Sequence, residues 1–578
     1  MTLLMNGTGV SRGIAIGPVR LLHEIQPQAR RKKILASQKR AELNRFRKAL
    51  SRSEEELSTA KEQLPTSGSG TVISILDSNI AMLHDPALVE PIENYISEHL
   101  YSCEWALAVQ RDELFQMFDA ITDPYLRQRS LDVEETIARL LKHLKRRPAK
   151  QKKTTQSPQK FVLVSKNLAP SDLIQQQHAG LIGAVTQGGS QLSHTTIIAK
   201  SLNIPLIVHA RHAMTLLDES DKLIIDGAQG TVIVNADAAT TRSFKSQQSS
   251  ARKARKQLDS LKARATRTRD KQQAHVLANC SEPADISKAK RLGTEGVGLY
   301  RTESLYLNRD ELPDETEHFK LYRKLITKLK GDPLVVRTMD VWSSRRAPGL
   351  EQHVPMSRQP ALGLRAIRLC LRHPELFLPQ LRALLRAAHY GPLSMLVPMV
   401  ANVQEVRDLL QMVDVTKAHL QRQRFAYNPN MPIGVMVEVP SAAISARLIA
   451  PLVDFMAIGS NDLTQYTLAM DRDDENVQPL LDPLNPAILH LIRETVKACD
   501  QHDVPVSLCG EMAGDPLYTR LLLGLGLRQF SMHPSSALEV KRQIISTDVG
   551  KIEKIARAMI RANSPLRSQR LLERINSV

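Results

Sequence analysis

Apolar residues change their spacing twice along this chain. Over residues 25–148 they recur at helical intervals, as in Leu131, Val133, Ile137, Leu140, Leu141 and Leu144, and β-branched runs are few, so the spacing predicts helices. Between 161 and 236 the pattern turns to short strands, Phe161–Val164, Leu181–Val185 and Lys222–Asp226, with a glycine-bearing loop leading into a helical stretch at Thr195–Leu202. Beyond 271, apolar strands alternate with helical stretches. The strands are expected at Val276–Asn279, Gly296–Tyr300, Leu334–Thr338, Met395–Val400, Ile433–Val437, Val453–Ile458, Val504–Leu508 and Gln529–Met532. Eight strands separated by helices in about 300 residues predict a (β/α)8 barrel. Such a barrel carries its chemistry just after the strands. Those positions hold Arg301 and Glu303, Arg337 and Asp340, Glu438, Asn461 and Asp462, and Cys509 and Glu511.

Composition narrows the class. At roughly 100–200 residues per domain, 578 residues predict three or four domains. A hydrophobic content of 42% supplies real cores and excludes a disordered chain. No apolar run approaches the ~18 residues that span a bilayer, and the first residues lack the features of a signal peptide. The expectation is a soluble, unexported, cytoplasmic protein. Cys103, Cys280, Cys370, Cys499 and Cys509 form no CxxC pair, which argues against a disulfide framework or zinc ribbon. A net charge of +18 raises nucleic acid as a partner, but aromatics are only 4% and no nucleic-acid-binding signature accompanies the charge.

The strand-end residues suggest a chemistry. Glu438 and Asp462 end neighbouring strands, and two carboxylates with waters and a ligand oxygen suit Mg²⁺. Arg301, Arg337, Arg365 and Arg472 present forks that match phosphate and carboxylate oxygens. Structural ion pairing is the competing reading for these arginines, and a core position is the competing reading for the lone Cys509. His194 follows Gly188-Gly-Ser-Gln-Leu-Ser and opens a helix, whose N-terminus favours a phosphorylated imidazole. Plain capping is the competing reading there.

The motifs Gly296-Val-Gly-Leu-Tyr-Arg-Thr-Glu, Arg337-Thr-Met-Asp, Gly363-Leu-Arg-Ala-Ile-Arg, Gly434-Val-Met-Val-Glu, Ile458-Gly-Ser-Asn-Asp-Leu-Thr-Gln-Tyr, Asp471-Arg and Cys509-Gly-Glu-Met-Ala-Gly-Asp occur in one order. Together they resemble the phosphoenolpyruvate (PEP)-binding barrel of the PEP-utilising enzymes, and over the whole chain the Enzyme I family of the bacterial sugar phosphotransferase system. The resemblance implies a swivelling α/β phosphohistidine domain (1–24 and 149–236) interrupted by an all-α insertion (25–148) that binds the carrier protein HPr. It implies a linker helix (237–270) and a PEP-binding, dimerising barrel (271–578). It implies phosphoryl transfer from PEP to His194 and then to a histidine of HPr, with pyruvate released. Arg301, Arg337, Arg365, Arg472 and Asn461 would hold substrate, with Arg345 standing where the family has a lysine. Glu438 and Asp462 would hold Mg²⁺, and Cys509 would protonate the enolate.

Four departures from that family stand out. Val341-Trp-Ser-Ser-Arg replaces Ile-Gly-Gly-Asp-Lys, Arg358-Gln-Pro replaces Glu-Asn-Pro, Ala169 replaces a threonine, and the loop before Ser193 reads Ser-Gln-Leu. The expectation is retuned turnover rather than loss. The second function class is a catalytically weakened regulatory phosphoprotein, and the third, resting on charge alone, is a nucleic-acid binder. Charge distribution weakens the third. Residues 54–135 hold 17 Asp/Glu against four Lys/Arg, whereas 30–48, 142–160 and 242–271 hold nine, eight and eleven Lys/Arg. An acidic stretch inside the insertion would steer a basic partner.

Overall fold

The computed structural model describes the chain except residues 1, 23–30, 63–69, 120–123, 145–159, 190–193, 203, 308, 342–346, 352, 355–358, 473, 475–476 and 478–479. It forms two compact units, Met1–Arg252 and Lys253–Val578.

The first unit holds an eight-stranded sheet. Its strands are β1 (Leu3–Asn6), β2 (Thr8–Ser11), β3 (Ile14–Leu22), β4 (Phe161–Ser165), β5 (Leu181–Thr186), β6 (Leu206–Val208), β7 (Lys222–Asp226) and β8 (Thr231–Val234), in the order β1-β8-β7-β3-β4-β5-β6-β2. The centre, β3-β4-β5-β6, is parallel, and antiparallel strands finish both sides. Strand alternation explains why β4 is buried throughout. Phe161 and Leu163 join a core with helical residues such as Phe46, Leu57 and Ile137, while Val162 and Val164 join a second core with Val185, Leu223 and Ile225. Between β3 and β4 the described chain is helical, including Lys39–Glu62, Gly70–Leu83, Pro86–Ser97, Cys103–Asp119 and Pro124–Leu144.

The second unit is a closed parallel barrel of β9 (His275–Cys280), β10 (Val297–Tyr300), β11 (Leu334–Arg337), β12 (Leu393–Val397), β13 (Ile433–Val437), β14 (Phe455–Ile458), β15 (Val506–Leu508) and β16 (Gln529–Met532). Strand β16 pairs with β9 to close it. All eight anticipated strands are present, most within two residues of their expected ends. The helix Ala238–Asp259 lies in the basic tract at the junction of the units.

Candidate active site

Strand parity aims the functional residues. Leu299, Leu396, Met436, Ala457 and Cys509 form a small cluster of their own, against which Val335 packs. Their strand neighbours Val435, Val437, Met456 and Ile458 instead join the large core shared with the helices. Side chains two positions apart share a face, so Arg301 follows Leu299, Arg337 follows Val335 and Glu438 follows Met436 towards the barrel mouth. There they line one cavity of about 1380 Å³ with Arg365, Asn461, Asp462, Arg472 and Cys509.

The four arginines are not equivalent. Arg337 donates from Nη2 to Glu303 Oε1 at 2.8 Å, and its Nη1 lies 3.5 Å from Asp340 Oδ2. Burial opposes its charge, yet Glu303, Asp340 and Glu438 raise its pKa well above the ordinary arginine value. Asp340 Oδ1 also accepts from Arg365 Nε at 2.9 Å and from Nη2 at 2.8 Å. Arg472 Nη1 lies 3.4 Å from Asp462 Oδ2, and its backbone N–H donates to Gln465 Oε1 at 3.2 Å. Arg301 differs from all three: among the described residues its guanidinium makes no hydrogen bond or ion pair. Burial and the like charge of Arg337 lower its pKa. An unpaired, largely buried cation beside a second cation is costly unless an anion joins it.

Glu438 is 1% exposed and accepts the Met399 N–H at 2.7 Å. Met399 adopts φ 61°, a strained conformation for a residue with a side chain, and this turns its N–H onto the carboxylate. Burial, then the charges of Asp462 and Asp340, push the Glu438 carboxyl up. A Cβ on Gly459 would come within 2.8 Å of Glu438 Oε2, so glycine leaves room for that oxygen. Glu438 crowded by Asp462 suits a hard divalent cation, which takes one or two carboxylates and completes its shell from water and phosphate. No group of three or more His, Cys, Asp or Glu suited to a metal occurs among the described residues.

Cys509 continues the β14–β15 ladder, its N–H donating to the Ile458 carbonyl at 3.0 Å, while its Sγ lies 3.5 Å from the same oxygen. It is 3% exposed. Burial and the charge of Glu438 push its thiol up to about 12, so it is protonated at neutral pH. Asn461 Oδ1 accepts the Glu511 N–H at 2.8 Å, and its amide nitrogen makes no hydrogen bond among the described residues.

In the first unit, His194 opens the helix His194–Leu202, and its side chain lies outside the described residues. Thr195 beside it is buried and donates to the Leu168 carbonyl at 2.5 Å. Ala169 is the N-cap of the helix Pro170–His178 and supplies no side-chain cap bond, as expected for alanine. Arg345, Arg358 and the Ser190–Leu192 loop lie outside the described residues.

Several positioning contacts escaped the sequence reading. Asn279 Nδ2 donates to the Cys509 carbonyl at 2.9 Å, and its Oδ1 accepts from Ser531 Oγ at 2.6 Å. Glu303 and Asp340 stood among the strand-end residues, but which arginines they pair with, Arg337 and Arg365, was not specified. The available signal was a polar residue inside an apolar run, as in His275-Val-Leu-Ala-Asn-Cys.

Comparison with known proteins agrees with this geometry. Family models match for the PEP-utilising enzyme PEP-binding domain over residues 255–549, the N-terminal domain over 6–129 and the mobile domain over 157–230. A phosphoenolpyruvate-protein phosphotransferase of Cupriavidus necator is 38% identical over 98% of both chains. Proteins of the same name from Bacillus subtilis (36% identical, 93% of this chain and 94% of theirs) and Listeria monocytogenes (35%, 96% of each) are also similar. With arginines lining the barrel mouth and relatives matching over nearly all of both chains, the chain belongs to the PEP-utilising enzymes, in the phosphoenolpyruvate-protein phosphotransferase family.

Proposed function

We propose that this phosphotransferase moves the phosphoryl group of PEP to His194 and then to a histidine of HPr, the first step of sugar uptake by a phosphotransferase system. The observation that carries this reading is Arg301. Among the described residues it is a cation without an ion-pair partner, next to Arg337 and in one cavity with Glu438, Asp462 and a protonated thiol. That set suits a trianionic phosphate ester with an enol carbon to be protonated.

In this reading Arg301, Arg337 and Arg472 clamp the phosphate, while Arg365 and the free amide nitrogen of Asn461 orient the rest of the substrate. Arg345 joins them by resemblance alone. Glu438 and Asp462 hold the divalent metal, taken as Mg²⁺, which when bound offsets charge on the phosphoryl oxygens. A His194 ring nitrogen forms the N–P bond as the bond from phosphorus to the enol oxygen breaks. The electron pair leaves with the enolate. Cys509 gives its proton to the enolate carbon, pyruvate departs, and solvent reprotonates the thiolate.

His194 must then reach a second station, which requires domain motion. Residues 25–148 are proposed as the HPr-docking insertion, 1–24 and 149–236 as the carrier domain, 237–270 as the linker, and 271–578 as the barrel through which a homodimer forms. The acidic 54–135 stretch supports docking of a basic partner. Among the described residues no helix is long and apolar enough to cross a membrane, and a cytoplasmic location is proposed with the function.

The test is incubation with ³²P-PEP, Mg²⁺ and HPr. Label on His194 that chases to HPr is expected, together with stoichiometric pyruvate. Label confined to His194 would leave a regulatory phosphoprotein, and no label on His194 would sink the reading.

A further inference from the structure

Behind the arginine-bearing strand ends lies a buried polar chain to which no role has so far been given. Gln380, on the helix Pro374–Ala387, is 0% exposed and sits in an otherwise apolar face. Its Oε1 accepts the backbone N–H of Met339 at 2.9 Å. A backbone N–H can only donate, so this bond fixes the amide orientation. Nε2 must then be the donor to Tyr322 Oη at 3.1 Å and to Thr302 Oγ1 at 3.3 Å. Thr302, itself 0% exposed, passes its own proton to the Arg337 carbonyl at 2.9 Å.

On the other branch, Tyr322 receives from Gln380 and gives its proton to His318 Nδ1 at 3.0 Å. The neutral ring is thereby set as the Nε2–H tautomer, which donates to Tyr306 Oη at 3.2 Å. Every bond has a defined direction, and the chain is anchored at two backbone groups that flank Thr338. None of its side-chain atoms is left without a partner.

We propose that Gln380 is a positioning residue for the substrate arginines: it ties the end of β10, through Thr302 next to Arg301, to the end of β11, through the Met339 N–H, and holds Thr302 where it bonds the Arg337 carbonyl. The two strands pair in the barrel only as far as Tyr300 with Val336. Beyond that point no strand pairing among the described residues joins the two ends; Thr302 bonds the Arg337 carbonyl directly, Glu303 pairs with Arg337, and the amide adds a second path by holding Thr302 and the Met339 N–H together. Because a phosphate clamp depends on that separation, loss of the bridge acts on substrate binding and alignment as well as on stability. This inference rests on the PEP reading above.

The test compares three variants of the full chain. Gln380→Met removes the amide's bonds to Met339, Tyr322 and Thr302, and Thr302→Val removes the bonds of Thr302 to Gln380 and to the Arg337 carbonyl. Leu420→Ala opens a cavity in the helix Val403–Arg422, away from the chain. PEP-dependent labelling and the unfolding temperature are measured for each. The expected result is a KM for PEP raised roughly tenfold or more in both bridge variants, the effect of losing about 1.4 kcal/mol of binding. The double variant should then be little worse than either single one. Leu420→Ala should lower the unfolding temperature at least as much and leave KM unchanged. A wild-type KM in Thr302→Val, or a KM raised equally by Leu420→Ala, would overturn the inference even if Gln380→Met fails to fold. An unlabelled wild-type protein would overturn the PEP reading instead, and this inference with it.

Discussion

Arg301 shows how a single residue exposes function. Its charge is disfavoured by burial and by Arg337, Glu303 offsets this only in part, and no acid pairs with it among the described residues. Replacing it with methionine is therefore expected to raise stability by about 0.5–1 kcal/mol, read as a higher unfolding temperature. The same change should lower PEP turnover on the order of 10²–10³-fold, the usual effect of losing one preorganised charge-stabilising group. Cys509 is expected to resist alkylation, because a thiol pushed up to about 12 offers little thiolate at pH 8. Iodoacetamide should modify it far more slowly than free cysteine, and Cys509→Ala should slow pyruvate release about 10²–10⁴-fold.

His318 supplies a pH dependence of stability. Burial lowers its pKa from the ordinary 6.5 to about 4. The folded state thus resists protonation that the unfolded chain accepts. Its contribution is fully present above about pH 6.5 and is lost as pH falls towards 4, by at most ~3 kcal/mol. Urea titrations between pH 7 and 4 should show this slope, and His318→Gln should flatten it.

At the scale of elements, the loops after β14 and β15 are pressed together. A Cβ on Gly510 would stand 1.9 Å from Ser460 Oγ and 2.9 Å from Asn461 Oδ1. Gly510→Ala must therefore push apart the loops that carry Asp462 and Cys509, at a cost of about 1–3 kcal/mol. The expected outcome is a folded barrel with depressed turnover. Ser460→Gly in the same chain should restore part of it, since it removes the clashing hydroxyl. Wild-type kinetics in Gly510→Ala would show that this contact does not set the geometry.

Elements were also where the pattern of the chain was easiest to read. Barrel strands such as Ile433–Val437 are buried on both faces, so they appear as short continuous apolar runs that stop at a charged residue. Strand β6 has only three residues, Leu206–Val208, and β8 only four, Thr231–Val234. Runs that short carry too little periodicity to separate from loop, and both went unassigned. The β12 strand was expected to end three residues late, because Pro398-Met-Val extends the apolar run past the last paired residue, Val397.

For the whole molecule, each unit has its own large core, one on the sheet and one between barrel and helices. Independent cores predict two calorimetric transitions. PEP with Mg²⁺ should raise one of them, the barrel's, by about 2.7 kcal/mol at a hundredfold excess over Kd, and leave the other in place. A shift of both transitions together would show that the units unfold as one.

By itself the sequence determined the barrel strands, the residues that end them and the histidine at a helix start, because these follow from local periodicity and from motif order. It also identified Glu438 and Asp462 as ends of adjacent strands, since order along a (β/α)8 chain is order around the barrel. Only the tertiary structure decided which charges are already answered. Arg337 and Arg365 share Asp340, whereas Arg301 shares nothing among the described residues. That distinction depends largely on side chains meeting across 25 or more positions, such as Asp340 with Arg365 and Glu303 with Arg337. Spacing along a chain constrains which face a residue occupies. It does not constrain which distant group it meets, and the site's electrostatics are made of those meetings.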